Sequence, residues 1–306
     1  MTIQELALDL TSNRKKKVII DTDAYNEIDD QFAVAYSLCH PEKMEVLAYT
    51  AAPFEDDNSS CYKDGMLKSF AELKMLLHLM NRSIPVYLGA DHSISQDPQK
   101  RPVDSPAARK IIETVQKASE PIYILGIGAG TNIASALMME PFIKNNMAVI
   151  WQGAHALDFE NIREFNLAQD FYAAQAIINS GVPFVLEPAN YVTSSLRVFQ
   201  KELKALSQKN QLCNYLYSIL YRHYARVEAE QEGPFNPNWW ECTLWDLAAI
   251  ATVSLPESTK LIEISAPIFQ KNYQYGFDKT RHSILYLKSI DRDLVIQDCW
   301  KGITQL

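Results

Sequence analysis

Four aspartates and a glutamate (Asp21, Asp23, Glu27, Asp29 and Asp30) stand within the ten residues "DTDAYNEIDD". They follow directly on the apolar run KVIID (17–21), so a buried strand delivers the first of them and a helix beginning at Asp29 carries the last two. Carboxylates at this density repel one another, and buried ones need either a raised proton affinity or a cation. Helix capping accounts for Asp29, because an acid at a helix N-terminus satisfies free N–H groups and offsets the dipole. It does not account for four aspartates. Two to four oxygens on one hard cation do, and carboxylate ligation suits Ca²⁺ or Mg²⁺.

Three later segments carry further polar chemistry. "YILGIGAGTN" ends a strand in glycines, with Thr131-Asn132 opening a helix. It reads as a strand-to-helix turn with Thr131 as cap, as an anion cradle at a helix N-terminus, or as a bare carbonyl able to ligate a hard cation. "REFNLAQD" places Glu164, Asn166 and Asp170 ahead of a helix, a carboxylate and amide set suited to vicinal sugar hydroxyls. "NWWECTLWD" puts Asp246 directly after Trp245, with Trp239 and Trp240 upstream. Core packing for Trp245 and a first-turn acid for Asp246 are the plain alternatives. His223, in "LYRHYARVEAEQ", could protonate a leaving group or simply pack; Tyr221, Arg222 and Tyr224 stand with it.

Strand–helix alternation must position these groups. Strands are expected at 17–21, 44–52, 84–89, 121–128, 147–153 and 182–189, with helices from Asp29 to about His40, over 59–80, and from near Ser105, Thr131 and Leu167. That pattern predicts an α/β fold, a mostly parallel central sheet with helices on both faces, and ligands at the carboxyl ends of its strands. From 195 to about 255 the sequence turns mostly helical, an elaboration that would cap the pocket, with a helix over 243–254. Strands return at 260–265, 282–290 and 293–300. No linker interrupts the 306 residues, which read as one domain. The net charge of −8 argues against a nucleic-acid partner. No segment approaches the ~20 apolar residues that span a bilayer, so no membrane partner is expected. The N-terminus lacks a signal-peptide pattern and the five cysteines lack CxxC spacing, which together fit a cytoplasmic protein with reduced thiols.

Taken in order, "DTDAYNEIDDQ", "GAGTN", "REFN" and "WD" resemble the DTDPGxDDA, GPLTN, EFN and late His-Asp or Trp-Asp segments of the inosine–uridine-type nucleoside hydrolases. The resemblance runs from about Lys17 to the terminal strands. It implies an open, Rossmann-like fold, a bound Ca²⁺, and Ca²⁺-dependent hydrolysis of a ribonucleoside's N-glycosidic bond by an aspartate-activated water, a role in purine salvage. Carried onto this chain, Asp23 would bind calcium and act as general base, and Asp30 would be the main bidentate ligand. The Ile127 carbonyl and Asp246 would complete the calcium shell. Asp29, Glu164 and Asn166 would hold ribose hydroxyls, and Asp21 would brace the loop. Trp245, where some relatives carry a leaving-group histidine, would stack on the base, which leans the substrate toward purine ribosides. Family members are dimers or tetramers, so a homo-oligomer is expected.

The chain also departs from the pattern. Ala24-Tyr25-Asn26-Glu27-Ile28 replaces Pro-Gly-x, an insertion of two residues that lets Asn26 or Glu27 enter the pocket. Phe54 stands where many members place an asparagine against the ribose, and the usual His-Gly segment after the third strand is absent. Two other functions compete. One is a non-catalytic nucleoside- or sugar-binding protein that keeps the metal cradle, although a pure binder has no use for the base Asp23. The other is a Mg²⁺ phosphohydrolase of the haloacid dehalogenase type using Asp21 and Asp23. Against it, Tyr25 replaces the Thr or Val usual two positions beyond the second Asp, and no downstream lysine context appears.

Overall fold

The backbone runs first through a helix, α1 (Ile3–Thr11), capped reciprocally by Thr2 and Glu5, and then into β1 (Lys16–Thr22). The computed structural model describes residues 1–230 and 240–306, without the side chains of 224 and 226–230; Trp239 and the Tyr224 side chain therefore lie outside the described residues. Strand β1 is buried along nearly its whole length, as a strand covered on both faces requires. Its side chains alternate between two cores. Val18 and Ile20 pack with Tyr123 and Leu125 on one face, while Ile19 packs with Ile122 and Ile124 on the other.

Around β1 the chain lays down α2 (Asp29–Tyr36), β2 (Met44–Ala51), α3 (Tyr62–Leu79), β3 (Val86–Tyr87), α4 (Pro106–Lys117), β4 (Ile122–Gly126), α5 (Thr131–Met139) and β5 (Met147–Gln152). The short α6 (Phe165–Gln169) and α7 (Phe171–Asn179) lead to β6 (Phe184–Glu187). Next come β7 (Arg197–Phe199), α8 (Gln200–Leu206), α9 (Gln211–Glu230), β8 (Glu241–Thr243) and α10 (Leu247–Ser254). The chain closes with β9 (Thr259–Ser265), the hairpin β10 (Ile268–Phe269) and β11 (Tyr275–Gly276), β12 (Ser283–Ile290) and α11 (Arg292–Ile303).

Among the described residues the main sheet has eight strands in the order β3-β2-β1-β4-β5-β6-β12-β9. All neighbours are parallel except β12 and β9. Register aligns the strand ends: Asp21 pairs with Gly126, Gly126 with Trp151, and Gln152 with Glu187. The carboxyl ends of β1, β4, β5 and β6 thus share one edge, where open α/β sheets bind ligands. Helices α4, α5 and α7 cover one face; α2, α3, α10 and α11 cover the other, with α8 and α9 beyond them.

Three expectations need correction. Residues 293–300 form most of α11 rather than a strand. Asp291 caps it by accepting the Asp293 and Leu294 N–H groups, and the buried Val295, Ile296, Cys299 and Ile303 have helical spacing. The elaboration contains a small antiparallel sheet, β7 with β8, so the helix expected at 243–254 starts only at Leu247. Thr131 does not cap α5; Gly130 holds that position, and the Thr131 hydroxyl donates to Asp170 at 2.8 Å. No helix among the described residues is long and apolar enough to cross a membrane.

Candidate active site

At the β1 end the chain turns through Asp23 to Ile28 and enters α2. Ile28, the N-cap, makes no side-chain cap bond, so Asp29 and Asp30 open the helix without a capping residue before them. Asp30 accepts from the Thr22 hydroxyl, and Asp29 accepts the Asp246 backbone N–H at 3.2 Å. Carboxylate oxygens of Asp29, Asp30 and Asp246 all lie within 4.8 Å of one another, and all three residues are buried. Asp23 is buried beside them and lines the same cavity. Gly128 makes room for it, since a methyl group there would come within 2.8 Å of Asp23 Oδ1.

Desolvation and mutual repulsion act together on this cluster. Burial, then Asp30, raises the Asp29 carboxyl to about 8; burial, with Glu27 adding, raises Asp30 to about 8. Asp23 and Asp246 rise well above the ordinary range for the same reasons. Glu27 is exposed and lines the cavity; surrounding protein first, then Asp29, Glu164 and Asp56, push its carboxyl upward. The donor set is oxygen only, which fits a hard divalent cation, and such a charge would lower every one of these proton affinities at once. Asp21 belongs to the scaffold: it accepts from Thr50 Oγ1 (2.6 Å) and Asn132 Nδ2 (2.9 Å), and it does not line the cavity. Asn132 also accepts the Ala90 N–H and donates to the Ala51 carbonyl, tying the "GAGTN" turn to two neighbouring strand ends.

Opposite the acids, the segment before α6 forms the other wall. Glu164 accepts N–H bonds from Asn166 (2.8 Å), Leu167 (3.0 Å) and Ala154 (2.9 Å). Burial nevertheless raises it to about 7. Asn166 Nδ2 donates to the Ile127 carbonyl (3.3 Å) and to Gln152 through its backbone oxygen (3.1 Å) and Oε1 (2.9 Å). Ile127, Gln152, Glu164 and Asn166 line a cavity of about 250 Å³ with Asn26, Trp245 and the four aspartates. The arrangement can hold a hard cation, a water and a polyhydroxylated ring against one face of an indole.

Residues 18–293 match the model of the family described as inosine-uridine preferring nucleoside hydrolase. The chain belongs to that family. It is 28% identical over 263 residues to the non-specific ribonucleoside hydrolase RihC of Klebsiella pneumoniae (strain 342), covering 78% of this chain and 79% of the relative. RihC of Salmonella schwarzengrund (strain CVM19633) is 26% identical over 264 residues, with the same shares covered. Among solved structures, the plant nucleoside hydrolase PpNRh1 superposes with a TM-score of 0.77 at 20% identity, over 96% of this chain and all of that one. The purine-preferring ribonucleoside hydrolase from Gardnerella vaginalis gives 0.75 at 21% identity, over 95% and 98%. Those two share the fold.

This nucleoside hydrolase, an N-glycosyl hydrolase by family, brings together in one cavity Asp23, Asn26, Asp29, Asp30, Ile127, Glu164, Asn166, Trp245 and Asp246. Two residues expected there lie elsewhere. Phe54 is fully buried, its ring packed where α3 passes at Gly65, and does not line the cavity. His223 lies on α9 in two adjoining cavities, one of which it shares with Asp29 and Trp245. Gln152, His155, Arg163, Phe165, Ala189 and Asn190 also line the site. Their signal was positional, since Gln152 ends β5 and His155 and Asn190 follow the ends of β5 and β6. His155 Nδ1 accepts the Asn190 N–H (3.3 Å) and Nε2 meets the Asn190 amide (3.2 Å), so both ring nitrogens are engaged and the imidazole serves as wall. The inserted loop turns at Tyr25 with φ of 125°, a backbone region costly for a residue with a side chain.

Proposed function

We propose that this nucleoside hydrolase uses Ca²⁺ to hydrolyse the N-glycosidic bond of ribonucleosides, with a lean toward purines. The observation that carries the reading is the buried Asp29–Asp30–Asp246 group, with oxygens within 4.8 Å, beside Asp23 in one cavity. Asp30, Asp246, Asp23 and the Ile127 carbonyl would hold the ion. Bound there, Ca²⁺ supplies a fixed positive charge that orients the sugar diol and acidifies water. Asp23 takes the proton of the attacking water. Asp29 and the Asn166 amide oxygen accept ribose hydroxyls, and Glu164 does so with the lone pairs its N–H partners leave. As the C–N bond lengthens, positive charge grows on the ring, and the surrounding carboxylates stabilise it. Trp245, half-buried on the cavity wall, offers a purine a stacking face.

A reducing-sugar assay over purine and pyrimidine ribonucleosides, with and without chelator, tests this. Free base and ribose should form with Ca²⁺, inosine or adenosine ahead of uridine or cytidine, and stop on chelation. Asp23→Ala should lose at least about 10³-fold in turnover while keeping the wild-type circular dichroism. No reducing sugar from any nucleoside would leave a binding protein, and phosphate release from a monoester with Mg²⁺ would leave a phosphohydrolase.

A further inference from the structure

Every carboxylate lining the active cavity has a task in that reading except Glu27. Asp23, Asp30 and Asp246 face the ion, while Asp29 and Glu164 face the ribose. Glu27 stands on the inserted loop and lines the same cavity as Trp245. Its charge acts on Asp23, Asp30 and Asp246, and Asp29 and Glu164 act on it, so it stands within electrostatic reach of both walls. Glu27, Asp29 and Trp245 also line the space of about 140 Å³ under Leu220, so the carboxylate and the indole border the same two spaces.

Among the described residues Glu27 makes no hydrogen bond or ion pair, and every side chain whose charge perturbs it is an acid. A carboxylate so placed calls for positive charge from the ligand. The leaving base supplies the second argument. Breaking the C1′–N bond of a neutral base puts negative charge on its nitrogen unless an acid provides a proton. His155 is the one histidine lining the cavity, and Asn190 engages both of its ring nitrogens. A base that is already cationic needs no acid, because the electron pair of the broken bond neutralises it. An indole face suits such a ring through cation–π attraction.

We infer that the enzyme also hydrolyses ribosides whose base carries a positive charge, a pyridinium or an N7-alkylated purinium, with Glu27 facing the charge and Trp245 stacking on the ring. This deepens the nucleosidase reading above and rests on it. Water's oxygen bonds to C1′, the C1′–N electron pair goes to the ring and cancels its charge, and Asp23 takes the water proton. The products are a neutral base and ribose.

A cationic base leaves faster from any site, so the decisive quantity is a ratio. Steady-state rates of the full-length Ca²⁺-loaded enzyme are measured on inosine, adenosine, N-ribosylnicotinamide and 7-methylguanosine, with base and ribose read by mass spectrometry. At least one cationic riboside should be cleaved, and which one separates the pyridinium from the purinium. Glu27→Gln removes the charge and keeps the shape. It should lower the ratio of kcat/KM for the cationic riboside over inosine about 10-fold, and Glu27→Asp should lower it less. Cleavage of the neutral nucleosides but of neither cationic riboside overturns this inference alone, as does a ratio unchanged in Glu27→Gln. If none of the four is cleaved, the nucleosidase reading falls with it.

Discussion

Gly128 shows how tightly the general base is seated. Its missing side chain is the space that Asp23 Oδ1 occupies, and Ala52 Cβ closes the other side at 3.0 Å from where a methyl would stand. Gly128→Ala must push Asp23 or the turn. A displacement of about 1 Å in a reacting group costs about 10²-fold in rate, so kcat should fall by roughly that much, with a smaller change in the denaturation midpoint. Comparing steady-state rates with urea unfolding separates the two; an unchanged kcat would mean that Asp23 need not sit there. At this scale the sequence announced the acids through type and spacing alone. Type and spacing alone did not say which of them face the cavity; the resemblance gave Asp21 the role of bracing the loop, and Asp21 is bound to Thr50 and Asn132 while Asp23, two residues on, lines the cavity.

Strand β6 and helix α10 meet at another buried acid outside the cavity. Glu187 accepts from the Thr252 hydroxyl, and its other oxygen is buried with no partner. Burial raises its carboxyl from 4.5 to about 7. Between those values the unfolded chain releases a proton that the native state keeps. Stability from this group is therefore full below about pH 4.5 and lost as pH rises through about 7. The shift corresponds to roughly 3 kcal/mol at 1.36 kcal/mol per unit. Glu187→Gln, close in shape to the protonated acid, should match wild type near pH 4.5 and exceed it by about 2 kcal/mol near pH 8, as urea midpoints at the two pH values will show. Equal midpoints at both would place the proton elsewhere. The same scale holds the misread α11, where a β-branched run suggested a strand and the packing of Val295, Cys299 and Ile303 made a helix.

Across the whole molecule, the cradle links segments that only folding joins. Asp29 and Asp30 begin α2, Asp246 precedes α10, and the Asp246 N–H reaches Asp29 across 217 positions. A cation held by Asp30 and Asp246, with Asp23 and the Ile127 carbonyl, exists only on the native state, so it stabilises in proportion to the logarithm of its concentration over its dissociation constant. Saturating Ca²⁺ should raise the melting temperature by several degrees over chelated protein, and Asp246→Asn should remove most of that rise. Identical scans with Ca²⁺ and with chelator would refute a metal in the cradle.

The sequence by itself determined the parallel sheet, through apolar runs alternating with amphipathic stretches, and it determined the chemistry on offer, through carboxylates too dense to stand without a counter-charge. Both are local properties, written in residue type and period. The tertiary structure decided which acids converge, that His155 is spent on Asn190, and that Arg163 lines the cavity while Phe54 is sealed inside. Those outcomes depend on contacts between residues far apart in the chain, and no short window of sequence carries the angle at which two elements meet.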